Sequence, residues 1–264
     1  LDQDDGLVKP FLDHLEDLRT TLIRSFIALA VGMSIAFPLT PWLLGVLKRP
    51  LRAVTDDPDR MLQSMEVAGA FTAAMHMAFW GGFLVSAPAL VMIVGAFIVP
   101  ALKPNELRLA RQAGALGTVL FLAGVAVGYF YTLPFALSAM FMVHDWLGVS
   151  ALWTLTSYVA FSTQLLIAFG LAFEIPMVLL VLGRLGIISG VWLRDHRRHA
   201  VIVALIIACV LTPPDVVSQI VMTLPLLLMY EGCIWLVMAW DRQRKAADVA
   251  TREETDYRSS SDSL

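Results

Sequence analysis

The chain has 264 residues, of which 58% are hydrophobic and 16% charged, with a formal net charge of −3 and a mean hydropathy of +0.73. Soluble domains carry about 25% charged residues, and apolar runs of about 18 or more residues recur here, so the composition excludes an ordinary soluble domain and indicates a polytopic membrane protein. No broad basic face is left for nucleic acid, and two cysteines, Cys209 and Cys233, both in apolar runs, exclude a disulfide scaffold.

Residues 1–10 are polar and acidic and read as a loose tail, without the basic start and short apolar core of a signal peptide. From Phe11 to Arg24, Leu15, Leu18 and Leu22 fall on one helix face, with Asp13 and Asp17 on the other side. That pattern predicts an amphipathic helix over 11–24, lying on the membrane surface. Six apolar segments follow, at about 22–42, 68–99, 112–135, 158–182, 200–211 and 216–240. The first four are long enough to cross a hydrocarbon core of roughly 30 Å. The fifth is not. Only 15 uncharged residues, Ala200 to Pro214, precede Asp215, about 22 Å of helix. The last two segments are therefore expected to form a short hairpin whose tip, Thr212-Pro-Pro-Asp215, is drawn into the bilayer. The expected fold is all-α: one transmembrane domain over 1–240 with six spans, a cupped, concave bundle because the segments differ in length. The remainder, 241–264, alternates charge and serine and reads as a disordered tail.

Orientation follows from the basic residues. Lys48, Arg49, Arg52 and Arg60 lie on one side, and all other Lys and Arg lie on the opposite side. The positive-inside rule then places both termini in the cytoplasm. No segment convincingly repeats another, so the inverted repeat of many secondary transporters is missing.

Motifs for nucleotide binding, zinc proteolysis and serine hydrolysis are absent from the sequence, so no enzymatic activity, metal or cofactor is expected. His196 and His199 flank two arginines, and His76 lies inside the second segment; none has a ligand-set spacing. Glu174 stands out. No other residue between Asp145 and Arg184 carries a formal charge. A carboxylate there costs several kcal/mol unless it is paired, hydrated or protonated, so an intramembrane acid is a functional candidate by default. One alternative function is a proton-coupled transporter of small solutes acting through Glu174. Two cytoplasmic stretches place acids among bases: His14-Leu-Glu-Asp-Leu-Arg19, and Pro100 to Arg108 with Glu106. Both are solvated faces or acidic sockets for a cationic ligand. Asn105 is placed to cap a helix opened by Glu106, and ionised carboxylates bind guanidinium groups in bidentate fashion. Asp215 and Gln219 stand four residues apart after the Pro213-Pro214 pair.

Together these stretches resemble the TatC family, the core membrane subunit of the twin-arginine protein translocase. The matching runs are His14-Leu-Glu-Asp-Leu-Arg19, Pro100-Ala-Leu with Glu106 and Arg108, Gly170-Leu-Ala-Phe-Glu-Ile-Pro176, and Leu211-Thr-Pro-Pro-Asp-Val-Val-Ser-Gln219. Tyr129-Phe-Tyr-Thr-Leu-Pro134 and Lys48-Arg-Pro-Leu51 fit as well, so the likeness covers about 11–240. The resemblance implies a receptor for paired-arginine signal peptides of folded cargo. It also implies single-span TatA- and TatB-type partners, a homo- or hetero-oligomer in the cytoplasmic membrane of a prokaryote, and use of the proton-motive force. Carried over by position, Asp17 and Glu106 fall on the signal-peptide acids, with Glu16, Arg19 and Arg108 beside them. Glu174, Gln219 and Asp215 fall on intramembrane or partner-binding positions. Pro50, Pro134, Pro213 and Pro214 fall on structural ones. The family motif has Glu where this chain has Asp17, with Glu16 in its variable position.

Overall fold

The computed structural model describes residues 5–55, 57, 61–98, 107–150, 152–211 and 216–261. Helix α1 (Asp5–Ala36) is followed by α2 (Thr40–Leu47), a 3-10 turn (Pro50–Ala53), and strand β1 (Leu62–Gln63). Then come α3 (Gly69–Ile98), α4 (Leu107–Val127), a π-helical turn (Gly128–Thr132), α5 (Leu133–Leu147) and strand β2 (Trp153–Thr154). The chain ends with α6 (Leu155–Ala172), α7 (Glu174–Leu185), α8 (Gly190–Asp195), α9 (Arg197–Leu211) and α10 (Val216–Ser261). Among the described residues five helical stretches are long and apolar enough to cross a membrane: Leu15–Ala36, Gly69–Gly95, Gly114–Leu147, Leu155–Leu185 and Thr223–Arg244. Helix α9 has 15 residues, the short segment its sequence predicts.

Four expectations are corrected. The surface helix and the first span are one helix, α1, because Phe11 to Val31 contains neither Gly nor Pro to break it. That helix ends at Ala36, ahead of Pro38, and the expected end of the first segment becomes the separate α2. The third segment runs on to Leu147 through the π-helical turn. Its cause is Pro134, which has no amide for the Phe130 carbonyl and crowds it, so the ladder widens locally. The tail after Trp240 is helical to Ser261, a stretch without Gly or Pro that includes Ala246, Ala247, Arg252 and Glu253.

Helices cross where small residues let backbones meet, as expected where water supplies no drive between helices. A β-carbon on Gly82 of α3 would lie 2.6 Å from the Met33 backbone of α1. One turn away the Ser86 hydroxyl donates to the Ala28 carbonyl at 2.8 Å. A β-carbon on Gly124 of α4 would lie 2.6 Å from the Phe169 carbonyl oxygen of α6.

One end of the bundle is closed by a clamp. Tyr129 and Tyr158 donate their hydroxyls to the carbonyls of Val46 and Leu47, at 2.8 and 2.6 Å. The Leu47 carbonyl has no backbone donor among the described residues, and the Val46 carbonyl also accepts from the Arg49 amide at 3.1 Å. Pro50 is buried and Leu51 fully buried just beyond. Strands β1 and β2 pair in parallel over two residues, joining this loop to the one before α6. At the other end, Gly186 ends α7 with φ +78°, a backbone that glycine adopts without strain, and turns the chain into α8. Asp241 accepts from the Gly190 amide at 2.7 Å, so the start of the predicted tail belongs to the fold.

Tyr158→Phe leaves the Leu47 carbonyl without its donor in a buried site, a loss of about 1–3 kcal/mol. A thermal melt of the purified protein in detergent is expected to shift down by a few degrees; an unchanged midpoint would remove the clamp from the list of stabilising contacts.

Candidate functional site

The site is built on the break between α6 and α7. Pro176 has no amide to offer the Ala172 carbonyl, and its ring crowds that carbonyl, so α6 stops at Ala172 and α7 opens at Glu174. The apolar run read as one segment is thus two helices with Phe173 between them. The break places Glu174 in the first turn of α7, where free amides and the helix dipole favour a negative charge. From α10 the Cys233 thiol donates to the Pro176 carbonyl at 3.5 Å, holding α7 in place.

Glu174 is half-buried. Its Oε1 is buried with no hydrogen-bond partner among the described residues. Among the described residues no ion pair is formed with the carboxyl. The other oxygen, Oε2, lies 2.9 Å from where a β-carbon on Gly117 of α4 would stand. Val91 Cγ1 of α3 and Met177 Cε lie 3.1 and 3.2 Å from the same point. The carboxylate therefore occupies space that Gly117 leaves open, between three helices. An acid so held has acceptor capacity to spend on a polar group brought from outside the chain. The role of Gly117 was missed in the sequence: one more glycine in an apolar segment, 57 positions before its acid, carries no local signal.

The other candidates separate into groups. Glu16, Asp17 and Arg19 lie exposed on α1. Neighbours on an α-helix project about 100° apart, so Glu16 and Asp17 face different directions. Helices α1 and α3 run antiparallel, Ala36 against Gly81 and Ala28 against Ser86. The fold therefore brings Asp17 to the end of the bundle where Ile98 and Leu107 flank the 99–106 connection. Glu106, Asp215, Pro213 and Pro214 lie outside the described residues; Arg108 lies in the first turn of α4. Gln219 donates its side-chain amide to the Leu205 carbonyl of α9 at 3.2 Å, a bond across the last hairpin. The Nδ1 of His76 is buried without a hydrogen-bond partner among the described residues. Among the described residues no group of three or more His, Cys, Asp or Glu is placed to hold a metal ion.

An all-helical polytopic membrane protein with a single acid at an intramembrane helix break is the class that fold and site define. The family model described as "TatC: Sec-independent protein translocase protein (TatC)" matches residues 13–225. The "Sec-independent protein translocase protein TatC" of Deinococcus radiodurans is 34% identical over 250 residues, covering 91% of this chain and 92% of the relative. The protein of the same name from Desulforapulum autotrophicum is 30% identical over 247 residues, covering 94% and 91%. A crystal structure described as "Twin Arginine Translocase Receptor- TatC in DDM" superposes with a TM-score of 0.75 at 32% identity, over 84% of this chain and 98% of that one. The chain belongs to the TatC family, and so is a multi-pass membrane component of a prokaryotic twin-arginine protein translocase, not an enzyme.

Gly117→Ala places a methyl carbon 2.9 Å from Glu174 Oε2, and the carboxylate must move. Export of a twin-arginine reporter is expected to fall severalfold at unchanged membrane level. Gly95→Ala, whose new methyl group meets nothing within 4 Å, serves as the control and is expected to export normally. Equal export by the two variants would show that the position of the carboxylate does not matter.

Proposed function

We propose that this protein is the receptor subunit of its translocase, binding the paired arginines of signal peptides on folded cargo at the cytoplasmic face. Family membership supports this reading, and one observation carries it: Asp17 stands exposed on α1 at the end of the bundle where α3 closes at Ile98 and α4 opens at Leu107. Two carboxylates suit two guanidinium groups. Each bidentate, charge-assisted pair contributes about 1.5–3 kcal/mol. Lysine lacks the planar fork and binds more weakly at such a socket. Asp17 is the first acid and Glu106 the second, with Glu16, Arg19 and Arg108 setting the local charge.

In this reading both termini are cytoplasmic, and α9 with the start of α10 completes six spans. Glu174 receives a polar group from the transmembrane helix of a TatA- or TatB-type single-span partner, and Gln219 and Asp215 extend that surface. Pro50, Pro134, Pro213 and Pro214 hold the turns that shape the concave bundle. Several copies and their partners assemble to pass cargo, and the proton-motive force drives export. Six helices are too few to enclose a pore for a folded protein, so passage needs those partners.

Purified protein in nanodiscs is expected to bind an Arg-Arg signal peptide at least tenfold more tightly than its Lys-Lys counterpart, the difference that about 1.4 kcal/mol makes. Asp17→Ala and Glu106→Ala should each remove most of that preference, while Glu16→Ala should retain it. Equal binding of both peptides, unchanged by the two substitutions, would overturn the receptor assignment.

A further inference from the structure

A second, separate cavity opens between α7, α8, α9 and α10. Its volume is about 240 Å³. Its floor is apolar, formed by Ile175, Leu179, Val203, Ile207 and Leu226. Its rim is of another kind. Trp192, His196, His199 and Tyr230 line it. The rings of Trp192 and His196 stack at 4.1 Å, and His199 lies 5.4 Å from His196. Tyr230 donates its hydroxyl to the Leu193 carbonyl at 2.8 Å, which ties the rim to α8.

The rim carries positive charge beside it. Arg197 makes one short bond, Nη2 to Oε2 of Glu231 at 2.6 Å, and a guanidinium has five N–H donors, so most remain to be used. Arg194 and Arg198 are exposed nearby in the chain, with Asp195 the one acid between them, and no salt bridge is formed with either arginine among the described residues. His196 donates from Nδ1 to the Trp192 carbonyl at 2.8 Å, since a carbonyl only accepts; Nε2 is left to other partners and donates to an anion only when it carries a proton as well. Nearby, Arg184 sits over the Trp240 ring at 5.2 Å, the aromatic and basic pairing of a membrane interface.

A narrow apolar cavity that opens among cations at an aromatic belt matches one molecule in charge and shape. We infer that it holds an anionic phospholipid, one acyl chain in the cavity and the phosphate against Arg197, His196 and His199. An apolar floor beneath a rim with an arginine beside it is the division between acyl chain and phosphate that such a lipid carries. A basic pocket between transmembrane helices on the cytoplasmic side is where anionic head groups are expected to bind. The inference takes the side of the membrane from the orientation given under Proposed function. It is independent of Glu174 and of the arginine sockets. A bound lipid would brace α8 and α9 against α10, to which Tyr230 already joins α8 and the Arg197–Glu231 pair joins α9.

The test is native mass spectrometry of the full chain released from vesicles of equal parts phosphatidylglycerol and phosphatidylcholine with matched acyl chains. Wild type should retain phosphatidylglycerol in excess. The double substitution Arg197→Gln/Glu231→Gln removes the cation without leaving a lone acid, and should lower that excess about fivefold. Ala200→Trp fills the cavity and should abolish retention of either lipid. If either variant fails to fold, His196→Ala/His199→Ala is read in its place and should lower the excess in the same direction. Equal retention of the two lipids by wild type, or an excess that survives the substitutions, would overturn the inference. Arginine-peptide binding measured on the same preparations separates the two readings. Its presence without lipid preference sinks the lipid site alone, and its absence beside clear lipid preference sinks the receptor assignment alone.

Discussion

A proline has no amide to give, and at Pro176 that lack decides where the only intramembrane acid of this stretch can stand. An unbroken helix from Leu155 to Leu185 would place Glu174 mid-span, with no free amide near it and nothing to offset its charge. The interruption at Phe173 converts the middle of a span into the start of α7. The carboxylate then lies in the field of a helix N-terminus. That field compensates only in part, since Oε1 has no described donor. The remaining deficit is the physical reason to expect a polar visitor or water at this position. The Gly117 gap, the Cys233 bond to the Pro176 carbonyl and the close crossing of α4 with α6 all serve to keep that acid in one place.

The two ends of the bundle are built to different purposes. At the Pro50 end, loops are pinned by tyrosine hydroxyls, a two-residue strand pair and a buried leucine. The Val46 and Leu47 carbonyls there are held by side chains from two other helices, which suits a cap. The opposite end carries charges on exposed helix surfaces: Glu16, Asp17 and Arg19 on α1, and Arg194, Arg197 and Arg198 around α8 and α9. Two of the three α1 residues are acids, and three of the four exposed charges from Arg194 to Arg198 are bases, so the two groups differ in sign of net charge. Between the ends, much apolar surface of α1 stays open, with Phe26 at 72% and Leu22 at 61% exposure. In lipid such a surface costs nothing, and it leaves room for helices of other chains.

Much of this was legible in the sequence, for definable reasons. Apolar run length shows the membrane class, and the shortness of α9 follows from counting residues between charges. Glu174 is conspicuous because a single charge in such a run violates a solvation rule. What stayed hidden depends on neighbours far away in the chain. Pro176 was visible, yet hydropathy sums over the break and reads α6 and α7 as one segment. Pro134 was visible as well, but whether such a proline kinks, ends or widens a helix depends on its packing, here a π-helical turn leading into α5. Gly117 matters through Glu174, Val91 and Met177, and Gly82 through the backbone of Gly32 and Met33, all distant in the chain. The tail after Trp240 reads as disordered by charge and serine content, while its freedom from Gly and Pro permits the helix observed.

The central claim is that Glu174 is held ready for a group from another protein. Met177 lies beside the same gap in α4, one turn from the acid, and is the place to put a photo-crosslinking residue in the assembled translocase. A carboxylate that anchors a partner predicts a strong adduct with a single-span partner helix that disappears when Glu174→Ala is added. Adducts with lipid alone, or a partner adduct that Glu174→Ala leaves at full strength, would contradict it.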